Sequence, residues 1–325
     1  MGFNEMPGLS PKGGGMVEGF LAIDKPEGPS SHDIVAMVRR LIHGSKSAKG
    51  DPKTGHCGTL DPFASGLLVL AIGKATRFTE YLLHGDKTYE FALALGATSD
   101  TYDRTGAITK SGDGVLVESL TMDKIQSALL AFTGEIEQKP PIFSAVKIKG
   151  RKLYEYARSG EDVAIKPRRV VIRHLRLLSM ETPHLLHFEA RVSGGVYIRS
   201  LGHDIGQRLG VGAYVHSLRR TAIGDIALSQ SISLGHLESQ WRKKMISIPD
   251  IFKGWERAVL SGEDLARIQS GNYISAEDGM AISAEKKNPL LLLDASGDVI
   301  ALAEIKMAGD GARRLIQPFK VFKRF

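Results

Sequence analysis

The chain has 325 residues, 42% hydrophobic and 24% charged, with 43 lysines and arginines against 36 acids and a formal net charge of +7. That length suggests one large domain or about two, at ~100–200 residues per domain, and it is enough chain to bury a core. No stretch approaches the ~18 consecutive apolar residues of a membrane span. The single cysteine excludes an intramolecular disulfide, and no Cys/His cluster has zinc-ligand spacing. Residues 1–17 lack a basic-then-apolar signal pattern and read as a flexible arm, so the cytoplasm is the expected location. The charge is uneven: 11 lysines and arginines face three acids, Glu155, Glu161 and Asp162, between Lys139 and Arg176, while the remainder is nearly neutral. A basic stripe on a neutral body is the footprint of a polyanion, although a solvated basic face without a partner has the same composition.

In chain order, residues 19–24 read as a strand that Lys25-Pro26-Glu27-Gly28-Pro29 ends. Ser30 or Ser31 then caps a helix whose Ile34, Val38, Leu41 and Ile42 share one face. A basic loop, 44–53, precedes the segment Gly55-His56-Cys57-Gly58-Thr59-Leu60-Asp61-Pro62-Phe63-Ala64-Ser65-Gly66. Three glycines and a proline shape this loop, and an apolar strand, 67–72, follows at once. A carboxylate held there sits where a site residue would, and an Asp-Pro turn leading into a strand is the plainer alternative. Residues 75–83 fit a helix. Residues 87–96 alternate, with Tyr89, Phe91, Leu93 and Leu95 on one face. Residues 97–105 read as a structural loop, since Asp100 and Asp103 have too few neighbours to ligate a metal.

Residues 121–134 fit an amphipathic helix carrying Ile125, Leu129 and Phe132, which Gln138-Lys139-Pro140-Pro141 breaks. Residues 143–158 alternate cations with aromatics, including Lys147, Arg151, Lys152, Tyr154 and Tyr156, as RNA requires: phosphates need cations and splayed bases need flat partners. Residues 170–178 and 185–192 read as paired strands. A Gly-rich turn then opens a helix with Ile198, Leu201, Ile205 and Leu209 inward, which sets Arg199 at the edge of the buried row. Residues 234–245 look helical. Beyond them, short strands at 279–282, 290–294 and 299–303 suggest a small β domain, and a basic tail, Arg313-Arg314 and 320–324, suits RNA contact or a disordered end. Gly73-Lys74 lacks both the upstream glycine and the following Ser or Thr of a phosphate loop.

The segment 55–66 resembles the catalytic loop of the TruB family of tRNA pseudouridine synthases, GH(T/A)G(A/T)LDP(L)A(T/S)G, and departs from it at Cys57 and Phe63. Residues 143–158 resemble the family's Y-S-A-x-K-x-x-G-K/R-x-L-Y-E-Y-A-R segment. Gly195 to Leu201 falls on its G-x-Y-I-R-(T/S)-L motif, and 210–220 on G-x-G-A-x-x-x-x-L-R-R. Lys25-Pro26 matches an early Lys-Pro pair, Tyr89 the tyrosine of a K-x-Y-x strand, and 97–105 a T-D-x-x-D-x-x-G loop. The resemblance covers roughly residues 18–245 well and the C-terminal part loosely.

The resemblance implies conversion of the T-loop uridine-55 of tRNA to pseudouridine, through base flipping and an aspartate nucleophile, Asp61, with attack on the base, attack on the sugar carbon and assistance of a glycal path all open to the carboxylate. Arg199 pairs with and orients Asp61, because a nearby cation favours the charged form of a carboxylate. Tyr89 stacks on the uracil and takes part in proton transfer at C5. Tyr197 and Leu218 complete the pocket, and His56 wedges into the space the base leaves. Lys25, Lys147, Arg151, Lys152, Arg219 and Arg220 are candidates for phosphate contact. No cofactor and no metal are expected, since isomerisation needs neither redox chemistry nor energy input. The expected fold is α+β: a catalytic domain over 18–247, with a mixed or antiparallel sheet flanked by helices and loops, and a PUA-like RNA-binding β domain over 248–325. The tRNA T-arm is the expected partner of a monomer with no obligate protein partner. The alternatives are a guide-RNA-dependent synthase of the dyskerin type and a non-catalytic tRNA-folding chaperone.

Overall fold

The computed structural model describes residues 17–44, 51–111, 114–276, 288–308 and 313–322. These fall into two compact units, one of residues 17 and 21–245 and another of residues 18–20 and 246–325. The expected N-terminal arm, most of the basic loop 44–53, the strand at 279–282 and the last residues of the basic tail lie outside the described residues.

The first unit is built on a ten-stranded mixed sheet. Its strands are β1 (Gly19–Lys25), β2 (Thr54–His56), β3 (Ser65–Ile72), β4 (Lys87–Leu95), β5 (Gly134–Gln138), β6 (Arg168–Thr182), β7 (Leu185–Val192), β8 (Ala213–Ile223) and β9 (Ile232–Ser233), with Ile226–Ala227 beside β8. The order across the sheet is β9-β1-β3-β8-β4-β7-β6-β5, with β2 beside β3. β8 runs parallel to β3 and antiparallel to β4, which brings Arg220 opposite both Gly66 and Tyr89. The apolar run of β3 is buried along its length, as a central strand covered on both faces must be.

Two helices matter to the site. Helix α1 (Ser31–His43) starts from Ser30 in a capping box: Ser30 Oγ accepts from Asp33 N at 3.1 Å, and Asp33 Oδ2 accepts from Ser30 N at 2.8 Å. Its Ile34, Val35 and Val38 pack with Leu68, Leu70 and Ile72 of β3. Helix α2 (Ile198–Leu209) lies on the sheet through Ile198, Leu201 and Ile205 and ends at Gly210 in the left-handed conformation. A Cβ on its Gly206 would meet Ala213 N at 2.2 Å, so the helix approaches β8 more closely than any side chain allows. Beneath it, Phe91 and Phe188 stack at 5.2 Å.

Three expected helices are shorter than their patterns suggest. Residues 121–134 are α-helical only over Met122–Leu129, and Gly134 at φ +98° opens β5, whose Ile136 pairs with Val170. Residues 75–83 divide into a 3-10 helix, Gly73–Phe78, and a short helix, Thr79–His84. There Thr76 Oγ1 donates to Gly73 O at 2.7 Å, a local bond that competes with α-helix. Residues 234–245 contain only Leu234–His236 in 3-10 form and Leu237–Gln240 in α form.

The second unit holds a five-stranded sheet of β10 (Arg257–Val259), β11 (Ile274–Ser275), β12 (Leu290–Leu293), β13 (Val299–Met307) and β14 (Arg314–Val321), ordered β10-β12-β13-β14-β11. Its core gathers Leu260, Ile268, Leu292, Ile300 and Ile316. β14 takes in Arg314 and Lys320, residues that read as part of the basic tail. Pro318 hides the strand in the sequence, and a bulge in the β13–β14 pairing accommodates it.

Candidate active site

Asp61 stands on the loop between β2 and β3, and the chain around it is fixed on every side. Cys57 N donates to Val69 O at 2.8 Å. The buried hydroxyl of Ser31, at the start of α1, donates to Leu60 O and accepts from Leu60 N, both at 2.8 Å. Gly28 N donates to Pro62 O at 2.8 Å, and Ala64 N to Asp61 O at 3.1 Å. Leu60, Phe63 and Ala64 are buried in the main core, while the Asp61 side chain stays 32% exposed. The loop is therefore rigid, with its carboxylate partly exposed to solvent.

Arg199 meets that carboxylate from the first turn of α2. Its Nε lies 2.9 Å from Asp61 Oδ2, an ion-pair contact whose N–H does not point along the line of a hydrogen bond. The rest of the guanidinium is anchored: Nη1 donates to Thr101 O and Nη2 to Phe143 O, both at 3.0 Å. Asp103 Oδ2 lies 3.5 Å from Nη1. Asp103 is itself buried, and its Oδ1 accepts from Thr101 Oγ1 and Thr105 N, both at 2.9 Å. One buried guanidinium thus serves two carboxylates, and only Asp61 is open to a substrate.

Around this pair stand the other expected site residues. Tyr89, on β4, is 8% exposed and shares a core cluster with Leu60, Phe63, Ile198 and Leu218. Tyr197 caps α2, and its backbone is gripped by Gln138, whose Oε1 accepts from Tyr197 N at 2.8 Å and whose Nε2 donates to Tyr197 O at 3.1 Å. Burial raises the pKa of the Tyr197 hydroxyl, with the Asp61 charge adding to the rise. His56 ends β2 half-buried. Burial first, and then the Arg220 charge, lower its imidazole pKa, so it is neutral at pH 7. A cavity of about 260 Å³ is lined by Leu218 and Arg219 together with Glu27, Ser65, Glu90 and Phe91, but not by Asp61, Tyr89 or Arg199. Leu218 thus borders this cavity while also sharing a core cluster with Tyr89.

The candidate phosphate contacts divide. Lys147 is exposed on the short hairpin of Lys147–Ile148 and Arg151–Lys152. Arg151 is partly engaged within the chain: it pairs with Glu161 at 2.7 Å and lies 4.5 Å from the Tyr156 ring centroid. Lys152 reaches Tyr154 Oη at 3.2 Å. Arg219 pairs with Asp24 at 2.7 Å and keeps 39% of its side chain exposed. Two expectations are corrected. Lys25 is fully buried, donating to Pro26 O at 2.8 Å, Pro29 O at 2.9 Å and Pro62 O at 3.4 Å. Arg220 is 1% exposed and donates only to backbone carbonyls. Neither side chain reaches the surface, so neither meets a phosphate in this conformation.

Sequence reasoning missed Asp103, Ser31 and Gln138 as parts of the site. Asp103 had a signal, a carboxylate in a Thr-rich turn where a loop needs no charge, but its partner lies 96 positions away and only the fold joins them. Among the described residues no group of three His, Cys, Asp or Glu is arranged to hold a metal.

A mixed sheet with helices packed on it, followed by a separate C-terminal β unit, is the fold of a pseudouridine synthase, an isomerase. Two solved structures share that fold over 94% of this chain. One is an H/ACA RNP bound to a substrate RNA containing 2'-deoxyuridine (TM-score 0.68, 25% identity, 85% of that chain), and the other a Cbf5-Nop10-Gar1 complex (TM-score 0.67, 26% identity, 84% of that chain). Residues 45–198 match the model of the TruB family pseudouridylate synthase N-terminal domain, and 199–259 that of the tRNA pseudouridylate synthase B C-terminal domain. Proteins named tRNA pseudouridine synthase B are similar across most of their length. That of Clostridium kluyveri is 36% identical over 310 residues, covering 95% of this chain and all of its own. That of Aquifex aeolicus is 42% identical over 261 residues, covering 79% and 87%. The chain belongs to the TruB family.

Proposed function

We propose that this chain is a tRNA pseudouridine(55) synthase that isomerises the T-loop uridine without a guide RNA, with Asp61 as nucleophile. The observation that carries the reading is the 2.9 Å approach of Arg199 to Asp61 on a loop otherwise locked in place. The relatives named for the tRNA reaction are also more similar in sequence than the guide-RNA complexes are.

The reaction breaks the C1'–N1 bond and forms a C1'–C5 bond; the hydrogen at C5 leaves as a proton and N1 gains one. No electrons are exchanged with any other molecule. Asp61, aligned by Arg199, attacks the flipped nucleotide, and covalent capture divides one hard step into two easier ones. Tyr89 stacks on the uracil, and its hydroxyl takes part in proton removal from C5. Tyr197 and Leu218 wall the pocket. His56, as a neutral imidazole, fills the gap the flipped base leaves, which offsets part of an unstacking cost of ~a few kcal/mol. Lys147, Lys152 and Arg219 contact phosphates, and the second unit acts as a PUA-like module on the same RNA. The enzyme works as a cytoplasmic monomer with no obligate protein partner.

The test is tritium release from C5-labelled uridine in a T-arm stem-loop, since bond formation at C5 must expel that hydrogen. Wild type is expected to release it and Asp61→Asn to release none. Tight binding without release by either protein would overturn the reading in favour of a tRNA chaperone or a guide-dependent enzyme.

A further inference from the structure

Arg220 lies outside the machinery described above. It is among the largest fully buried side chains, on the strand that also carries Leu218. A guanidinium in the interior loses its hydration, so its partners have to be strong. Here they are all carbonyls: Nε donates to Leu67 O at 2.8 Å, Nη1 to Thr59 O at 3.2 Å and Nη2 to Gly58 O at 3.0 Å. Those three residues bracket Asp61, two of them just before it and one just after the loop closes. The backbone makes the same junction, because Arg220 is opposite Gly66 in the parallel pairing of β8 with β3. A Cβ on Gly66, whose φ is +101°, would meet Arg220 O at 2.3 Å. Gly58, at φ +132°, turns its carbonyl to the guanidinium in a conformation that L side chains rarely adopt. The Arg220 guanidinium also lies 6.0 Å from the centroid of the Tyr89 ring.

We propose that Arg220 is a positioning residue for the isomerisation: its guanidinium clamps both arms of the Asp61 loop to the strand that walls the base pocket, fixing the distance between nucleophile and bound uracil. This rests on the synthase reading of the site. Arg199 orients the carboxylate, Ser31 fixes the residue before it, and Arg220 ties the loop to β8. Lysine cannot replace the fork, because one ammonium cannot reach three carbonyls that three separate nitrogens now serve.

The test uses the full-length protein and a reporter inside the loop. Cys57 is the chain's only cysteine, is buried beside Gly58, and burial pushes its thiol up to about 12. Its reaction with dithiobis-nitrobenzoate under native conditions therefore reports loop opening independently of activity. In Arg220→Lys, single-turnover tritium release should slow roughly 10²-fold, as expected for a misplacement near 1 Å. Affinity for T-arm RNA should stay within roughly threefold, and Cys57 should react at least roughly tenfold faster while the cooperative melt is retained. Gly58→Ala perturbs the same clamp from the loop side and should show the same three signs. It decides the matter if Arg220→Lys does not fold. Wild-type release together with wild-type thiol protection would overturn the proposal. So would a loss of RNA affinity with an unchanged chemical rate, which would make Arg220 a phosphate contact after all. If wild type itself released no tritium, the synthase reading would fall, while the Cys57 rates would still judge the clamp.

Discussion

Replacing Arg199 by lysine tests whether the arginine matters as a charge or as a shape. The guanidinium spends Nε on Asp61 and its two terminal nitrogens on Thr101 O and Phe143 O. Lysine keeps the positive charge but gathers its donors on one atom, so it cannot span both carbonyls and still face Asp61. A buried acceptor left unmade costs about 1–3 kcal/mol, which sets the expected loss of stability. The catalytic loss is larger, because Asp61 also loses its fixed direction. At about 2–4 kcal/mol of transition-state stabilisation, the rate should fall roughly 30- to 1,000-fold. Single-turnover tritium release measures that rate, and equilibrium binding of the same stem-loop should change little. A variant within threefold of the wild-type rate would show that charge alone suffices, and the orienting role of Thr101 and Phe143 would fall.

Asp103→Asn removes the second carboxylate from Arg199 while keeping its shape. The rate should drop roughly 10- to 100-fold, and combining it with Arg199→Lys should cost less than the sum, since both act through one guanidinium. Additive losses would separate the two residues. His56→Ala should weaken RNA binding more than it slows the rearrangement, and single-turnover kinetics showing the reverse would count against a wedge. Lys87 gives a pH test. Burial, with the Arg220 charge adding, lowers its pKa to about 8 from 10.5, so the folded state holds its proton less tightly than the unfolded chain. Its contribution to stability should therefore rise with pH from about 8 towards 10.5, at up to ~1.4 kcal/mol per pH unit. Urea melts of wild type against Lys87→Met at pH 7.5 and 9.5 should show wild type gaining on the variant, and a constant difference would refute the sign.

What the sequence disclosed was local. The 55–66 loop, β3 after it, the capped helix α1 and the Tyr-Ile-Arg start of α2 are each written in a dozen neighbouring residues, so their chemistry and conformation could be read together. The contacts that make the site work are not local. Asp103 meets Arg199, Ser31 holds Leu60, and Gln138 grips Tyr197 only because strand order brings distant segments to one end of the sheet. Lys25 and Arg220 misled for a related reason. A cation in a basic, RNA-suited sequence reads as a phosphate contact until burial is known, and no periodicity marks a lysine or arginine as interior.

The misreading exposes a division of labour among the cations. Those proposed to contact RNA, such as Lys147 and Arg219, keep part of their surface in solvent. Lys25, Lys87 and Arg220 are buried, and each donates to backbone carbonyls near the loop or the start of β4. Carbonyls can accept a cation's hydrogen bonds without neutralising it, so the positive potential survives beneath Asp61. Carboxylates at those positions would have cancelled it and competed with Asp61 for Arg199. A loop that leaves one carboxylate open beside Arg199 is thus braced by cations on amides, while the second acid, Asp103, stays sealed behind the arginine.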